Sequence, residues 1–367
     1  MSAAPTVIVT DQADRGVEHA GHLQLPDRPR RSASAMLQAW LQQVRAWHGP
    51  LVWFALLTGV WALVCVVGLV ADPRLLAGAP IWAKPLKFSV SLGVYALTLA
   101  WMLSLVHRPR LRRVGWWAGT IGAAASLLEI VAISVQVVRG TASHFNVSTP
   151  VDAALYGLMG GAVVFMYCAT LVIGVALVVL TRLEDRSLAW ALRLGLLIGL
   201  AGLSVGFLMV IPTAQQLAAG GTTIGSHSVG GDDAGGGLFF LGWNTVHGDL
   251  RVAHFVGMHA LQGLPLLALG LATLTRGRVA ASTRLRLVLL ASAAWAALTA
   301  LLLWQALRGQ SVVHPDGLTW TAVGALLLAG AAAGAGVLHH HRLHRPERST
   351  GPGATVIAHV PVGVSGR

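Results

Sequence analysis

The densest group of residues that could do chemistry lies in the second half of an otherwise apolar sequence. It consists of Asp249, Arg251, His254, His259 and Gln262. Carboxylate, guanidinium and imidazole groups can bind a charged solute, carry a proton or ligate a metal ion. Five residues turn an α-helix by about 140°, so His254 and His259 face different directions. Each therefore needs a partner from another part of the chain.

A second group of candidates lies in the first half, where Glu129 and Gln136 share one face of an apolar helix and Arg139 and His144 follow. An ionisable side chain inside an apolar span is costly and is either functional or paired. We expect Glu129 to be protonated or paired, with Arg139 or a histidine as its partner. The pattern leaves open a proton-handling glutamate and a structural, hydrogen-bonded one.

A glycine-rich stretch, residues 212–249, separates the two groups. It contains His227, Asp232 and His247, whose nitrogen and oxygen atoms could hold zinc or a similar ion. Their spacing matches no established metal motif. Loops of this length are uncommon unless they are functional or disordered. A lid and a solvated flexible loop are the alternatives to the metal site.

The elements that must position these residues are membrane spans. Apolar residues make up 55% of the chain, charged residues 11%, and the mean hydropathy is +0.67. A soluble domain has about 25% charged residues, and a run of about 20 apolar residues crosses a bilayer. The sequence predicts an all-α integral membrane protein with about eight transmembrane helices. We expect these helices at Leu51–Val70, Leu86–Val106, Gly115–Val138, Ala153–Leu180, Leu192–Ile211, Leu250–Leu274, Leu285–Leu307 and Leu318–Leu338.

The arginines predict the orientation of these spans. They cluster in both tails and in every second loop, and cytoplasmic loops are enriched in positive charge. We expect a multi-pass protein of the cell membrane with both termini in the cytoplasm. This clustering also argues against nucleic acid as the partner of a chain with net charge +12; membrane lipid is the expected partner, and the oligomeric state stays open. The loop arginines are Arg108, Arg110, Arg112, Arg113, Arg182, Arg186, Arg276, Arg278, Arg284 and Arg286.

Positive charges also occur in the loops predicted to face outward, against that trend. They favour a binding site on that side, with snorkelling anchors for lipid headgroups as the alternative. These residues are Arg74, Lys84, Lys87, Arg139, Arg251 and Arg308.

The chain contains an apparent internal repeat. The sequence Gln136–Gly140 (QVVRG) returns as Gln305–Gly309 (QALRG), and Tyr95 aligns with His259. The repeat predicts two parallel four-helix halves, residues 49–186 and 187–341. Outside these halves we expect a disordered tail at 1–34, an amphipathic helix on the membrane surface at 35–48, and a second disordered tail at 342–367.

The paired four-helix plan resembles, in architecture only, the two fused halves of the haem A synthase family. The chain carries none of that family's histidine motifs in the matching helices. The resemblance favours haem or transition-metal binding in membrane redox chemistry. The alternative is a small-molecule or proton-coupled transporter, or a solute-binding membrane protein. For either function we expect six side chains to meet in one pocket in the outer half of the membrane: Glu129, Arg139, His144, Arg251, His254 and His259.

Overall fold

The computed structural model describes residues 33–76, 78–179, 181–233, 237–275 and 278–343, and most of them are helical. In these residues, eight segments are long and apolar enough to cross a membrane, as the sequence predicts. The helices are α1 (Ala33–Arg45), α2 (Gly49–Ala71), α3 (Ala83–Ser104), α4 (Pro109–Arg139), α5 (Pro150–Val178), α6 (Arg186–Met209), α7 (Ala214–Ala219), α8 (Leu250–Met258), α9 (Ala260–Thr275), α10 (Ala281–Leu307) and α11 (Gly317–Leu343). Four two-residue strands complete the fold: β1 (Leu75–Leu76), β2 (Ala79–Pro80), β3 (Ser228–Val229) and β4 (Gly248–Asp249).

Helix α1 forms at the position predicted for an amphipathic helix and belongs to a unit of its own. It begins at Ala33, so residues 33 and 34 are helical rather than part of a tail. At the other end α11 continues to Leu343, past the predicted limit of the last span. The remainder of both predicted disordered tails, 1–32 and 344–367, lies outside the described residues.

Helices α2 to α5 form the first group of spans. α2 packs on α3, α4 packs on α5, and α3 contacts both α4 and α5. Leu99, Ile173 and Leu177 are completely buried between these helices. Small residues allow a close approach at one crossing, where a side chain on Gly122 would touch Ala169. The polar groups described below are held by this apolar core.

Helices α6, α8, α9 and α10 form the second group, with α11 packed on α10. Glycines on α6 allow close helix packing. A methyl group on Gly202 would lie 2.3 Å from the backbone nitrogen of Met258, and one on Gly195 would lie 2.7 Å from the carbonyl of Ala260. α6 therefore packs directly on the backbone of α8 and α9.

The sixth span is interrupted between α8 and α9. α8 ends at Met258, His259 is non-helical, and the backbone amide of Gly263 donates to the carbonyl of His259 over 2.8 Å. Pro265 follows in the first half of α9, where it cannot donate a backbone hydrogen bond. The indole of Trp295 donates to the Val256 carbonyl over 2.8 Å and satisfies a backbone group beside the break.

The two QxxRG sequences end their helices in the same way. Gly140 and Gly309 adopt positive φ angles of 69° and 73°, which glycine reaches without a steric penalty. The side-chain amide of Gln136 donates to the carbonyl six residues later, and Gln305 does the same. This local likeness accords with the predicted repeat, and the duplication of whole halves stays a prediction.

Four connections lie at one end of the spans, which we call the cap side: residues 72–82, 140–149, 210–249 and 308–316. Residues 212–249, which make up most of the longest connection, are called the cap loop. The bridge between Asn146 and Thr223 joins it to the 140–149 connection, and Ser311 donates to the carbonyl of Asn244 over 3.0 Å. The cap loop is therefore a folded cover over the ends of the spans rather than a solvated flexible loop.

Candidate functional site

A buried carboxyl group lies at the centre of the candidate site. Glu129 is 1% exposed, and neither of its carboxyl oxygens accepts a hydrogen bond from another described residue. It lies ten residues before the cap-side end of α4, about 15 Å along the helix axis. The imidazole Nε2 of His144 lies 3.4 Å from Oε1 of Glu129. Of the two partners expected for Glu129, the structure therefore shows a histidine and not Arg139.

The 140–149 connection turns the imidazole of His144 inward. It leaves α4 through Gly140, and Phe145 adopts a φ of 61°, which is unusual for a bulky residue. The His144 ring packs on Phe88 of α3, with ring centroids 5.5 Å apart. Phe145 packs on His227 of the cap loop at 4.7 Å. The strained backbone at Phe145 thus places His144 and the cap loop on the same aromatic cluster.

Burial lowers the pKa of His144 well below its ordinary value, and the nearby Lys84 ammonium lowers it further. The imidazole is therefore neutral at physiological pH. A neutral imidazole can accept or donate a proton at Nε2, depending on its tautomer. The pair formed with Glu129 can thus share a proton.

The cap loop is attached to the spans by two basic side chains. Nζ of Lys87 donates to the carbonyl of Leu241 over 3.0 Å, and Nη2 of Arg251 donates to the carbonyl of Gly242 over 2.7 Å. Both carbonyls belong to the tight turn at the tip of the loop. Gly242 has a positive φ of 69°, and a side chain there would approach the Lys87 ammonium. These two cations hold the cap loop in place.

Asn244 and Asp249 organise the remainder of the cap loop. Asp249 is 2% exposed, pairs with Arg251 over 2.6 Å and accepts the backbone amide of Asn244 over 2.7 Å. The side chain of Asn244 donates to Ser228 over 2.9 Å and accepts the backbone amides of Val246 and His247. Asp249 and Arg251, both candidate site residues, therefore have a structural role in the cap.

Five of the six lysine and arginine side chains on the cap side have a carboxylate or carbonyl partner. Arg74 pairs with Asp72, Arg139 with Asp152, Arg251 with Asp249 and Arg308 with Asp316, while Lys87 binds a carbonyl. Lys84 is different, because its ammonium makes no hydrogen bond or ion pair with another described residue. It lies 5.9 Å from the centroid of the Phe88 ring. Its strongest interaction with an opposite charge is with Glu129.

Two predicted members of the pocket belong to a separate cluster. Arg139 donates to Asp152 and Gln136 over 2.6 Å each, and Gln136 donates to Asp152 over 2.8 Å. Asp152 is 2% exposed and also accepts the hydroxyls of Ser148 and Thr149. Of the two alternatives for the partner of Glu129, Arg139 is therefore the one that the structure does not show. A carboxylate one helix further along the chain neutralises the guanidinium instead.

The histidines of the sixth span surround its interruption. Nδ1 of His254 lies 2.8 Å from the carbonyl of Gly202 on α6. His259 packs on Phe255 with ring centroids 4.2 Å apart, and its Nδ1 is buried without a described partner. The side-chain oxygen of Gln262 is buried in the same way. His254 lies in α8, between the end of the cap loop and the break at His259.

The residues suggested as metal ligands do not come together. Nδ1 of His227 lies 3.2 Å from Asp233, Asp232 is exposed and accepts Asn244 through its backbone carbonyl, and the His247 ring packs on Gly231. Among the described residues, no three His, Cys, Asp or Glu side chains are grouped to hold a metal ion. Burial lowers the pKa of His227, and the neighbouring His227 helps to lower the pKa of Asp233.

Comparison with known proteins gives no relative: no family model, curated protein or solved structure matches the chain. The arrangement of side chains is therefore the basis for an assignment of function.

The sequence alone did not assign a role to several residues that shape the site. It marked Lys84 only as one of six positive charges in outward-facing loops; Lys84 and Lys87 are also the only lysines in the chain, and that rarity was a further signal for Lys84. Thr149 caps α5 by accepting a hydrogen bond from the backbone amide of Asp152. This N-cap pattern was the signal in the sequence for Asp152. Nothing in the sequence distinguished Asn244 or Phe145, because their roles depend on contacts with distant segments.

Proposed function

We propose that this protein binds a small solute beneath the cap loop and couples that binding to a proton carried by Glu129 and His144. It belongs, on this proposal, to the proton-coupled transporters. The cap side faces out of the cell, both termini are cytoplasmic and the membrane is the cell membrane. The distribution of arginines supports this orientation.

The observation that carries the proposal is the environment of Glu129. A buried carboxylate without hydrogen bonds is costly, and its charged form depends on nearby charges. The groups beside it are a neutral imidazole at 3.4 Å and the ammonium of Lys84, which is not at ion-pair distance. A purely structural glutamate would accept hydrogen bonds. Glu129 is placed to gain and lose a proton as its surroundings change.

The interrupted sixth span supports transport over a static binding role. Transporters place their sites where helices are broken, because freed backbone and polar groups can rearrange there. The break at His259 leaves a buried imidazole nitrogen and the oxygen of Gln262 unpartnered. His254 lies in α8 between this break and the cap loop. The titratable groups thus extend from the cap into the span.

Haem or metal binding in redox chemistry is the other function that the sequence favours. The contacts of the histidines give it no support. α6 lies against the His254 ring at Gly206, Phe255 covers His259, and Phe88 packs on His144. The absorption spectrum of the purified protein tests for haem, and elemental analysis tests for a metal.

Infrared spectroscopy of the protein in nanodiscs tests the proton site without knowledge of the solute. The carbonyl band of a protonated buried carboxyl group should appear and disappear as pH is varied, and Glu129→Gln should lack it. Glu184→Gln is the control, because Glu184 is exposed in a loop on the opposite side. A titrating band that persists in Glu129→Gln, or spectra that are equal at every pH, would exclude Glu129 as the proton carrier.

A further inference from the structure

The exceptional residue on the cap side is Lys84. Four of the other five cations there have carboxylate partners at 2.5 to 3.4 Å, and Lys87 has a carbonyl at 3.0 Å. Lys84 has an aromatic ring and a distant carboxyl group. Lys84 is half-buried, and partial burial of an ammonium group costs free energy that pairing with an anion recovers. Among the described residues none supplies that anion at ion-pair distance.

The charges around Lys84 also favour the binding of an anion. Lys84 lies in the first turn of α3, where the helix dipole already favours negative charge and where the helix has no acidic residue, and Lys87 begins the second turn. Arg251 and Lys87 add like charges to the field at Lys84. Arg251 is neutralised by Asp249, and Lys87 is hydrogen-bonded to the cap loop.

Glu129 is the acidic group that an anion bound at Lys84 would affect. Its side chain is 1% exposed, and neither carboxyl oxygen accepts a hydrogen bond from a described residue. Of the negative charges near Lys84, Glu129 interacts with it most strongly. The two side chains are close enough to interact electrostatically but do not form an ion pair. His144 lies beside Glu129, and the rings of Phe88 and Phe145 complete the surroundings.

We propose that Lys84 binds the carboxylate of a small organic monoanion that enters beneath the cap loop. One unpaired ammonium balances a single negative charge, and the Phe88 ring beside the ammonium favours an anion with a small apolar body. This inference rests on the proposed function. The bound anion is a like charge for Glu129 and favours its protonated form, so the anion and a proton bind together. The other charged or titratable groups around Lys84 are Lys87, His144, His227, Asp233 and Arg251.

The test measures the binding of acetate, lactate and benzoate to the full-length protein in nanodiscs by saturation-transfer NMR and calorimetry. Inorganic phosphate is the divalent comparison. The variants are Lys84→Gln, which removes the charge, and Lys84→Arg, which keeps it. Arg110→Gln is the matched control, because it removes a positive charge exposed on the opposite side.

We expect at least one of the three monocarboxylates to bind more tightly than phosphate, and Lys84→Gln to weaken it at least about tenfold, the loss of a charged hydrogen bond. Lys84→Arg and Arg110→Gln should stay within about threefold of the wild-type affinity. Equal affinity in Lys84→Gln and the wild type would overturn the proposal. Tighter binding of phosphate, or no binding of any carboxylate, would overturn it as well.

A second measurement applies even if Lys84→Gln fails to fold. In the wild type the carboxylate should bind more weakly as pH rises, and in Glu129→Gln its affinity should be independent of Glu129's proton and therefore flatter with pH. The same dependence in both proteins would overturn the coupling of anion and proton. If the infrared band of Glu129 titrates but no carboxylate binds, the anion proposal alone fails. If that band never titrates, the proposed function itself fails.

Discussion

At the scale of single residues, polar groups with a full set of hydrogen-bond partners have structural roles, and groups without such partners are the candidates for function. Asp152 has hydrogen bonds from four side chains, and Asp249 is held by Arg251 and the amide of Asn244. Glu129 is as deeply buried as these two carboxylates but accepts no hydrogen bond from the described residues, and the half-buried Lys84 makes none with them either. Hydrogen-bonded buried groups are the rule in proteins. The exceptions are therefore where we locate function.

A prediction at this scale concerns Asn244. Asn244→Ala removes hydrogen bonds to Ser228 and to two backbone amides of the cap loop. Leaving such buried groups unpaired costs about 1–3 kcal/mol each. We expect faster hydrogen exchange throughout residues 237–249 and a lower unfolding temperature. Gln215→Ala, an exposed position in α7, is the control. Unchanged exchange in Asn244→Ala would show that Asn244 does not hold the cap.

The candidate site was predictable from sequence in part. Residue type and depth in a span identified Glu129, His254 and His259, because ionisable groups in apolar helices are rare. The pairing of Glu129 with His144 was one of two expected outcomes, and the structure shows it at 3.4 Å. The sequence left Arg139 open as the alternative partner, because its proximity in sequence to Glu129 said nothing about Asp152, which lies on the next helix.

At the scale of elements, hydropathy predicted every span, since length and apolar composition are properties of the local sequence. The interruption after α8 was not predicted. Pro265 was visible, but the non-helical residue is His259, and the packing of α6 and Trp295 stabilises the backbone there. Such a break depends on neighbours in space, which the sequence of one helix does not contain.

A prediction at this scale tests the contact between α6 and the broken span. Gly202→Ala should destabilise the protein, because the added methyl group would lie 2.3 Å from the nitrogen of Met258 and 2.6 Å from the Cα of Gly257. Both are backbone atoms, and overpacking of this kind costs about 1–3 kcal/mol. A lower unfolding temperature in nanodiscs measures it.

Gly160→Ala is the matched control. A methyl group at Gly160 in α5 meets no atom within 4 Å, and alanine is favoured over glycine inside a helix by about 1 kcal/mol. Its stability should equal or exceed that of the wild type. Equal stability of Gly202→Ala and Gly160→Ala would contradict the close packing of α6 on α8.

At the scale of the whole molecule, the structure shows a multi-pass helical architecture with a folded cap at one end. The contacts between Phe145 and Ile224 and between Ser311 and Asn244 join the cap loop to both groups of spans. The sequence suggested a lid through its length and glycine content alone. Its fold was unpredictable, because these hydrogen bonds join segments up to 79 residues apart, as between Phe145 and Ile224.

A prediction at this scale concerns orientation. Reporter fusions after Arg113, Arg186 and Arg286 should be cytoplasmic, and a reporter inserted near Gly220 in the cap loop should be outside the cell. The reason is the excess of arginine at the three cytoplasmic positions. A cytoplasmic signal from the insertion at Gly220 would reverse the proposed direction of solute access.

The central claim is that Glu129 and His144 act as one proton-handling pair. Infrared titration of the Glu129 carboxyl band in wild type, His144→Leu and His107→Leu tests it most directly. His107 is exposed at the opposite end of α3 and serves as the control. In His144→Leu the band should persist to higher pH by about one unit or more, since the ionised carboxylate loses the imidazole that lies 3.4 Å away. The control should match the wild type, and the same midpoint in all three proteins would contradict the pair.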